Sequence, residues 1–287
     1  MLDILNGIRV VTLAVNLPGP LAASRLSAMG ASVVKVESPG GDPLAHGAPG
    51  WYAELLGEQL VAVLDLKDPS DLVKLDALLT GANVLITSMR PSALRRLGLG
   101  DATARFPGLS HVEIVGHDGE LEELPGHDLT YQAAHGTLQP PLMPVIPAAD
   151  LLGAERAVSA ALLGLIGAAK TGVGQRYRVV LEDAAAAAGA AIRHGLVGEG
   201  ALLGGATPTY GIYQTADGHI ALGAPEPHFR SRTLEALGVA DTHEALARVF
   251  AGASNAHWEE LAAQVDIPIV GIRNVTRGEE EWLIEKL

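Results

Sequence analysis

The chain has 287 residues, 48% of them hydrophobic and 18% charged, with a formal net charge of -13. That length supports one large core, or a core with a smaller satellite domain. The absence of cysteine rules out disulfides, thiolate metal sites and cysteine nucleophiles, and the acidic balance excludes the basic footprint of a nucleic-acid binder. Any site for an anionic ligand must therefore be local, a few basic side chains and backbone amides within an acidic surface. The opening MLDILNGIRVV has neither a basic n-region nor a small-residue cleavage site, so no signal peptide is read there. The longest apolar or small run, Ala157 to Ala169, falls short of the about 20 residues needed to cross a bilayer. These features predict a soluble cytoplasmic protein with no membrane or nucleic-acid partner.

Residues 1–195 alternate strand and helix. Gly7–Ala14 is a β-branched run suited to a buried parallel strand. It leads through Asn16-Leu17-Pro18-Gly19-Pro20 into a helix near Leu21–Met29, and Ser32–Glu37 reads as the next strand. No G-x-G-x-x-G follows the first strand, which argues against a dinucleotide site of the usual kind. Further strands are predicted at Val61–Leu66, Asn83–Thr87, His111–Val115 and Tyr177–Leu181, with helices at Ser70–Leu79 and Pro91–Leu97 among them. The alternation predicts an α/β fold, a Rossmann-like doubly wound parallel sheet, whose ligands collect at the carboxyl ends of the strands. The loops carrying Pro18, Arg90 and His127 fall there.

A long apolar helix is predicted from Leu151 to about Lys170, stopped by Gly172. Its Ala and Leu residues run nearly all the way round, which predicts burial on every side. Asp150 then reads as an N-cap, worth about 1 kcal/mol over Ala. His127 follows a Pro125-Gly126 turn and stands beside Asp128, which serves to orient its ring, to cap a helix at Leu129–His135, or both. After Gly198–Gly205 the pattern changes. Gly211–Thr215, a turn at Ala216-Asp217-Gly218, and His219–Ala224 make a hairpin. Helical stretches follow near Pro227–Leu237, Thr242–Phe250 and Asn255–Val265, and a last apolar run, Ile267–Ile272, reads as a strand. The domains are thus predicted as 1–197, large, and 198–266, a small α+β domain, with 267–287 rejoining the large one.

Several motifs agree in order. G-H-D-L-x-Y-x-A from Gly126, P-P-L-x-P-V-x-x-A-D ending at Asp150, and T-G-x-G-Q from Thr171 resemble the core of the family III CoA-transferase superfamily, most closely its alpha-methylacyl-CoA racemase branch. The opening G-I-R-V-V-x-L-A, the segment Leu64-Asp65-Leu66-Lys67, Arg90-Pro91, and the run from Gly204 to Phe229 are similar to the same family. The resemblance implies an acyl-CoA enzyme that forms interlocked homodimers, with coenzyme A carried by the substrate, no permanently bound cofactor and no metal. It implies that Asp150 and His127 are the acid/base pair, supported by Asp128 and by Glu226, whose plain reading is a solvated turn carboxylate. It also implies that Arg90, Pro18, Lys35 and Tyr210 contact coenzyme A, although Tyr210 reads equally as packing and Arg90 as a strand-end cap.

Racemising a 2-methylacyl-CoA needs two acid/base groups flanking one carbon, one protonated and one not. It also needs donors for the enolate oxygen, and the amides opening the Leu151 helix are candidates. A CoA-transferase needs one carboxylate, Asp150, as nucleophile and no histidine. A non-catalytic CoA-binding relative is the third reading. The chain departs from the family at Ser38 and Glu58, where basic phosphate contacts are usual, and at the bulkier Leu151-Leu152-Gly153-Ala154.

Overall fold

A computed structural model describes residues 3–273. The chain divides into two compact units, Met1–Ala190 and Ala191–Leu287. The division falls a few residues before the boundary read from the sequence at 197.

The first unit is built on strands β1 (Arg9–Thr12), β2 (Ser32–Glu37), β3 (Leu60–Val63), β4 (Val84–Thr87), β5 (Ser110–Val115) and β6 (Arg176–Val180). They form one parallel sheet in the order β3-β2-β1-β4-β5-β6. Its helices are α1 (Pro18–Ala28), α2 (Pro43–Gly47), α3 (Pro49–Leu56), α4 (Pro69–Thr80), α5 (Pro91–Arg96), α6 (Ala102–Arg105), α7 (Asp128–Ala134), α8 (Ala148–Thr171) and α9 (Leu181–Ala188). Side chains alternate across the sheet. Val10, Val84, Ile86, Val112 and Ile114 pack with Ala22 and Leu26 of α1 and Ala157 and Ala161 of α8. Val11, Leu13 and Leu85 pack on the other side with Leu75 and Leu79 of α4 and Leu94 of α5. Both faces are thus covered, as a parallel sheet requires, and each such leucine contributes about 1.5–3 kcal/mol by leaving water.

Local chemistry sets the helix ends. Asp68 accepts the Ser70 amide at 2.8 Å and starts α4. The left-handed Gly172, at φ 75°, closes α8. Two glycines let helices approach the sheet: a Cβ on Gly19 would stand 2.1 Å from the Cβ of Ala14, and one on Gly164 would stand 2.7 Å from that of Ser110.

Helix α8 differs from its sequence reading in two respects. It is not buried all round: Ala154, Ala157 and Ala161 face the core, while Leu152, Leu163 and Ile166 are exposed. Mostly small residues line the face that meets the sheet, with Val158, Leu162 and Leu165 packing at its edges. Its 24 residues, with mean hydropathy 1.5 over the most apolar stretch, also pass the length and composition test for crossing a membrane that the run Ala157 to Ala169 alone fails. The packing of its alanine face against β5 and β6 makes it a core helix of this unit.

A short helix α10 (Ala190–Arg193) leads into the second unit. There β7 (Tyr210–Gln214) and β8 (His219–Gly223) form the expected hairpin, with Gln214 opposite His219 and the Thr215 amide closing the turn on the Gly218 carbonyl at 2.9 Å. The strand β9 (Ile269–Gly271) pairs antiparallel with β8. The run Ile267–Ile272 therefore belongs to this small sheet, and the remainder of the predicted return segment, 274–287, lies outside the described residues. Helices α11 (Pro227–Leu237), α12 (His243–Phe250) and α13 (Asn255–Val265) complete the unit. Its own core gathers Tyr213, Ile220, Leu222, Leu246, Phe250 and Trp258, the last two edge to face at 5.2 Å.

Candidate active site

The strand order reverses between β1 and β4, the point at which loops leave an open parallel sheet in opposite directions and frame a crevice. A cavity of about 200 Å³ opens there. It is lined by Asn16 and Pro18 after β1, Ser88 and Arg90 after β4, Gly116 after β5, and His127, Asp128, Tyr131 and Asp150 from α7 and α8. The rims are tied together, since the Val15 amide donates to Ser88 Oγ at 3.0 Å.

Asp150 is not the N-cap of its helix. Pro147 holds that position and Asp150 stands in the first turn, because α8 begins at Ala148. Asp128 caps the helix instead: its Oδ1 accepts the Ala149 amide at 2.7 Å and the Asp150 amide at 3.2 Å. The Ala148 amide donates to the Ile146 carbonyl and the Leu151 amide to that of Pro147, both at 3.0 Å. The orphan donors of the helix start are thus consumed by the protein itself. This overturns the expectation that they would serve an enolate oxygen.

The same capping arrangement crowds negative charge. Burial first, and then the charge of Asp128, push the Asp150 carboxyl up from its ordinary 3.8 to about 7. Asp128 is held by Gln132, whose Nε2 donates to its Oδ2 at 2.6 Å and to the Ile146 carbonyl at 2.9 Å.

His127 is the N-cap residue of α7, and its extended backbone accepts the Thr130 amide at 2.8 Å. Its ring is exposed at the cavity, and Asp128 makes no hydrogen bond to it. The expectation that Asp128 orients the ring is therefore not met, since Asp128 faces α8. Asp128 does not cap α7 either; it is that helix's first residue.

Tyr131 is a site residue that sequence reasoning passed over, although it stands in the G-H-D-L-x-Y motif. It is 2% exposed. Burial, then the charges of Asp150 and Glu182, push its phenol up to about 12, so it stays neutral. Its hydroxyl is gripped between two glycines: a Cβ on Gly116 would stand 2.3 Å from it and one on Gly126 2.5 Å. Behind the ring, His117 packs edge-on at 5.3 Å and its Nδ1 lies 2.6 Å from Glu182 Oε2.

The remaining predicted residues divide. Pro18 is buried in the first turn of α1 and Arg90 is exposed at the start of α5, both at the cavity. Lys35 is not available to a ligand. It is 2% exposed, with Nζ 2.5 Å from Asp42 and 3.1 Å from Glu37. Glu226 and Tyr210 lie in the second unit: Glu226 is an exposed carboxylate at the N-cap of α11, and Tyr210 opens β7 beside Ile212 and Leu222 in an apolar hollow. Among the described residues, no group of three potential ligands is placed to hold a metal ion.

Residues 5–281 match the model of CoA-transferase family III, and the chain belongs to that family. It is 31% identical over 266 residues to a succinate–glutarate CoA-transferase of Agrobacterium fabrum, an alignment covering 82% of this chain and 66% of that protein. It is 30% identical over 262 residues to the alpha-methylacyl-CoA racemase of Homo sapiens, covering 82% of this chain and 65% of the relative. The chain thus spans just under two thirds of the length of either protein. In fold it is similar to a CaiB/BaiF family protein from Brucella suis, with TM-score 0.79 at 23% identity over 94% of this chain and 84% of the other.

Proposed function

We propose that the protein racemises or epimerises 2-methylacyl-CoA thioesters by 1,1-proton transfer, with Asp150 and His127 as the two acid/base groups. The observation that carries this reading is the carboxyl of Asp150, held near neutrality at about 7 in a cavity it shares with His127. A general base works best when its pKa lies close to the working pH. The ionised Asp150 takes the proton from C2, and the C–H electron pair moves into the thioester to give an enolate. Protonated His127 returns a proton to the opposite face, and the electron pair leaves the oxygen to form the new C–H bond. The enantiomer reverses the two roles.

Tyr131, kept protonated by its surroundings, supports Asp150 as a neutral neighbour. Arg90 supplies the cation for a phosphate of coenzyme A, a role its planar fork suits. A homodimer in which a second copy brings Glu226 to the His127 ring completes the assembly that the family resemblance implies.

The second reading is CoA transfer: Asp150 attacks the thioester carbonyl and expels the CoA thiolate to give a mixed anhydride. The thiolate then attacks the aspartyl carbonyl and releases the first acid, and the aspartyl-CoA thioester passes CoA to a second acid by the same two steps reversed. The likeness to the succinate–glutarate CoA-transferase supports it. Deuterium incorporation at C2 of a 2-methylacyl-CoA in heavy water separates the two. Wash-in by the wild type that vanishes in Asp150→Asn is the expected result. Absence of wash-in together with CoA exchange into free acids that survives His127→Ala would replace the racemase with the transferase.

A further inference from the structure

Among the described residues, two that are not glycine have a positive φ: Asn16 at 67° and Asp266 at 53°. Asp266 is the C-cap of α13, where a left-handed residue closes a helix. Asn16 closes nothing. It stands between β1 and α1, at the rim of the Asp150 cavity.

Its backbone is fixed without help from its side chain. The Asn16 amide donates to Asp42 Oδ1 at 3.1 Å, and Asp42 is fully buried with its other oxygen 2.5 Å from Lys35 Nζ. The preceding amide, that of Val15, is bound by Ser88. Asparagine is, after glycine, the residue best suited to this conformation, so the backbone accounts for the residue type and leaves the carboxamide itself free. The side chain is exposed into the cavity, and among the described residues neither of its polar atoms has a hydrogen-bond partner. The thioester oxygen, meanwhile, lacks the donors that Asp128 has taken from the start of α8.

We propose that the Asn16 carboxamide donates a hydrogen bond to the thioester oxygen of bound acyl-CoA, a bond that strengthens as that oxygen becomes an enolate. The proposal rests on the acyl-CoA reading above. Asn16 then makes the site selective for substrates that develop negative charge on a carbonyl oxygen.

Asn16→Gly keeps the left-handed backbone and removes the donor, and Asn16→Asp keeps the shape but can only accept. Both variants are expected to keep the wild-type melting temperature. Their kcat for C2 exchange falls by on the order of 10², with KM nearly unchanged. Wild-type kcat in Asn16→Gly overturns the proposal, since the position would then serve the backbone alone.

A 3-ketoacyl-CoA, whose enolate has its own ultraviolet band, gives a readout that needs no turnover. Enrichment of the enolate on the wild type and its loss on Asn16→Gly supports the proposal, even for a wild type silent in C2 exchange, which would sink the racemase reading alone. Equal enolate on both proteins, or no binding to the wild type, overturns it.

Discussion

Asp128 accepts the backbone amide of Asp150 at 3.2 Å while its charge helps to raise the carboxyl of the same residue. One side chain thus starts helix α8 and tunes the group that opens its cavity. The two duties separate by mutation. Asp128→Asn keeps an oxygen for the amides of Ala149 and Asp150 and removes the charge. Burial remains the larger cause, so the Asp150 carboxyl moves only part of the way down from about 7. The acidic limb of the pH–rate profile should shift below that of the wild type. Asp128→Ala leaves two helix amides without an acceptor and should lower stability by about 1–2 kcal/mol. A limb that does not move in Asp128→Asn would remove Asp128 from the electrostatics of the site.

The raised carboxyl of Asp150 also has a thermodynamic consequence. The folded protein holds this proton more tightly than the unfolded chain does. Its contribution to stability is therefore complete below the ordinary 3.8 and is lost as pH rises through about 7. The gap is worth ~4 kcal/mol at most, reduced to roughly 1–2 kcal/mol by solvent at the cavity mouth. Asp150→Asn never ionises. It should be more stable than the wild type at pH 8, equal to it at pH 4, and inactive at both. Thermal unfolding at the two pH values checks this, and a variant less stable at pH 8 would show that Asp150 is a simple helix-end charge.

The sheet was legible because β-branched runs such as those at Val10 and Val84 carry their own signal. The helix stops were legible for the same reason, as Gly172 marks its end locally. The start of α8 was not: Pro147 is no capping residue by type, and the cap is Asp128, on another helix and distant in sequence. Periodicity also misjudged the burial of α8, since it counts Leu163 as apolar without seeing that the face against the sheet is made mainly of small residues and Leu163 lies off it. At the site, the motif delivered His127, Asp128 and Asp150 to one cavity. Tyr131 escaped because its place comes from close packing between Gly116 and Gly126, which residue type does not announce.

Lys35 and Arg90 were both read as coenzyme A contacts, and the structure gives them different fates. Lys35 is enclosed with Asp42 and Glu37, and Glu37 also accepts the Tyr52 hydroxyl at 2.5 Å. Lys35→Met leaves buried carboxylates without their cation and should destabilise the protein by about 3–5 kcal/mol. Arg90 is exposed, and among the described residues no carboxylate lies within salt-bridge distance of it. Arg90→Ala should leave stability within about 0.5 kcal/mol and weaken acyl-CoA binding, with a flatter dependence on salt. Chemical denaturation and titration calorimetry distinguish the two. A stable Lys35→Met with impaired binding would restore Lys35 to the ligand.

The grip of Gly116 on Tyr131 offers a test of the site's packing. A methyl on Gly116 would stand 2.3 Å from the Tyr131 hydroxyl but 3.2 Å from the ring carbon that bears it. Gly116→Ala therefore overpacks one oxygen atom and should cost about 1–3 kcal/mol. Tyr131→Phe deletes that oxygen, so the double variant should recover most of the loss, a coupling well above the few tenths seen for independent sites. Activity should not recover with it, because the neutral hydroxyl near Asp150 is gone. Denaturation midpoints for the four proteins measure the coupling, and C2 exchange in the double variant measures the chemistry. Additive stabilities would mean that the hydroxyl is free to move, and full activity in Tyr131→Phe would reduce Tyr131 to a packing residue.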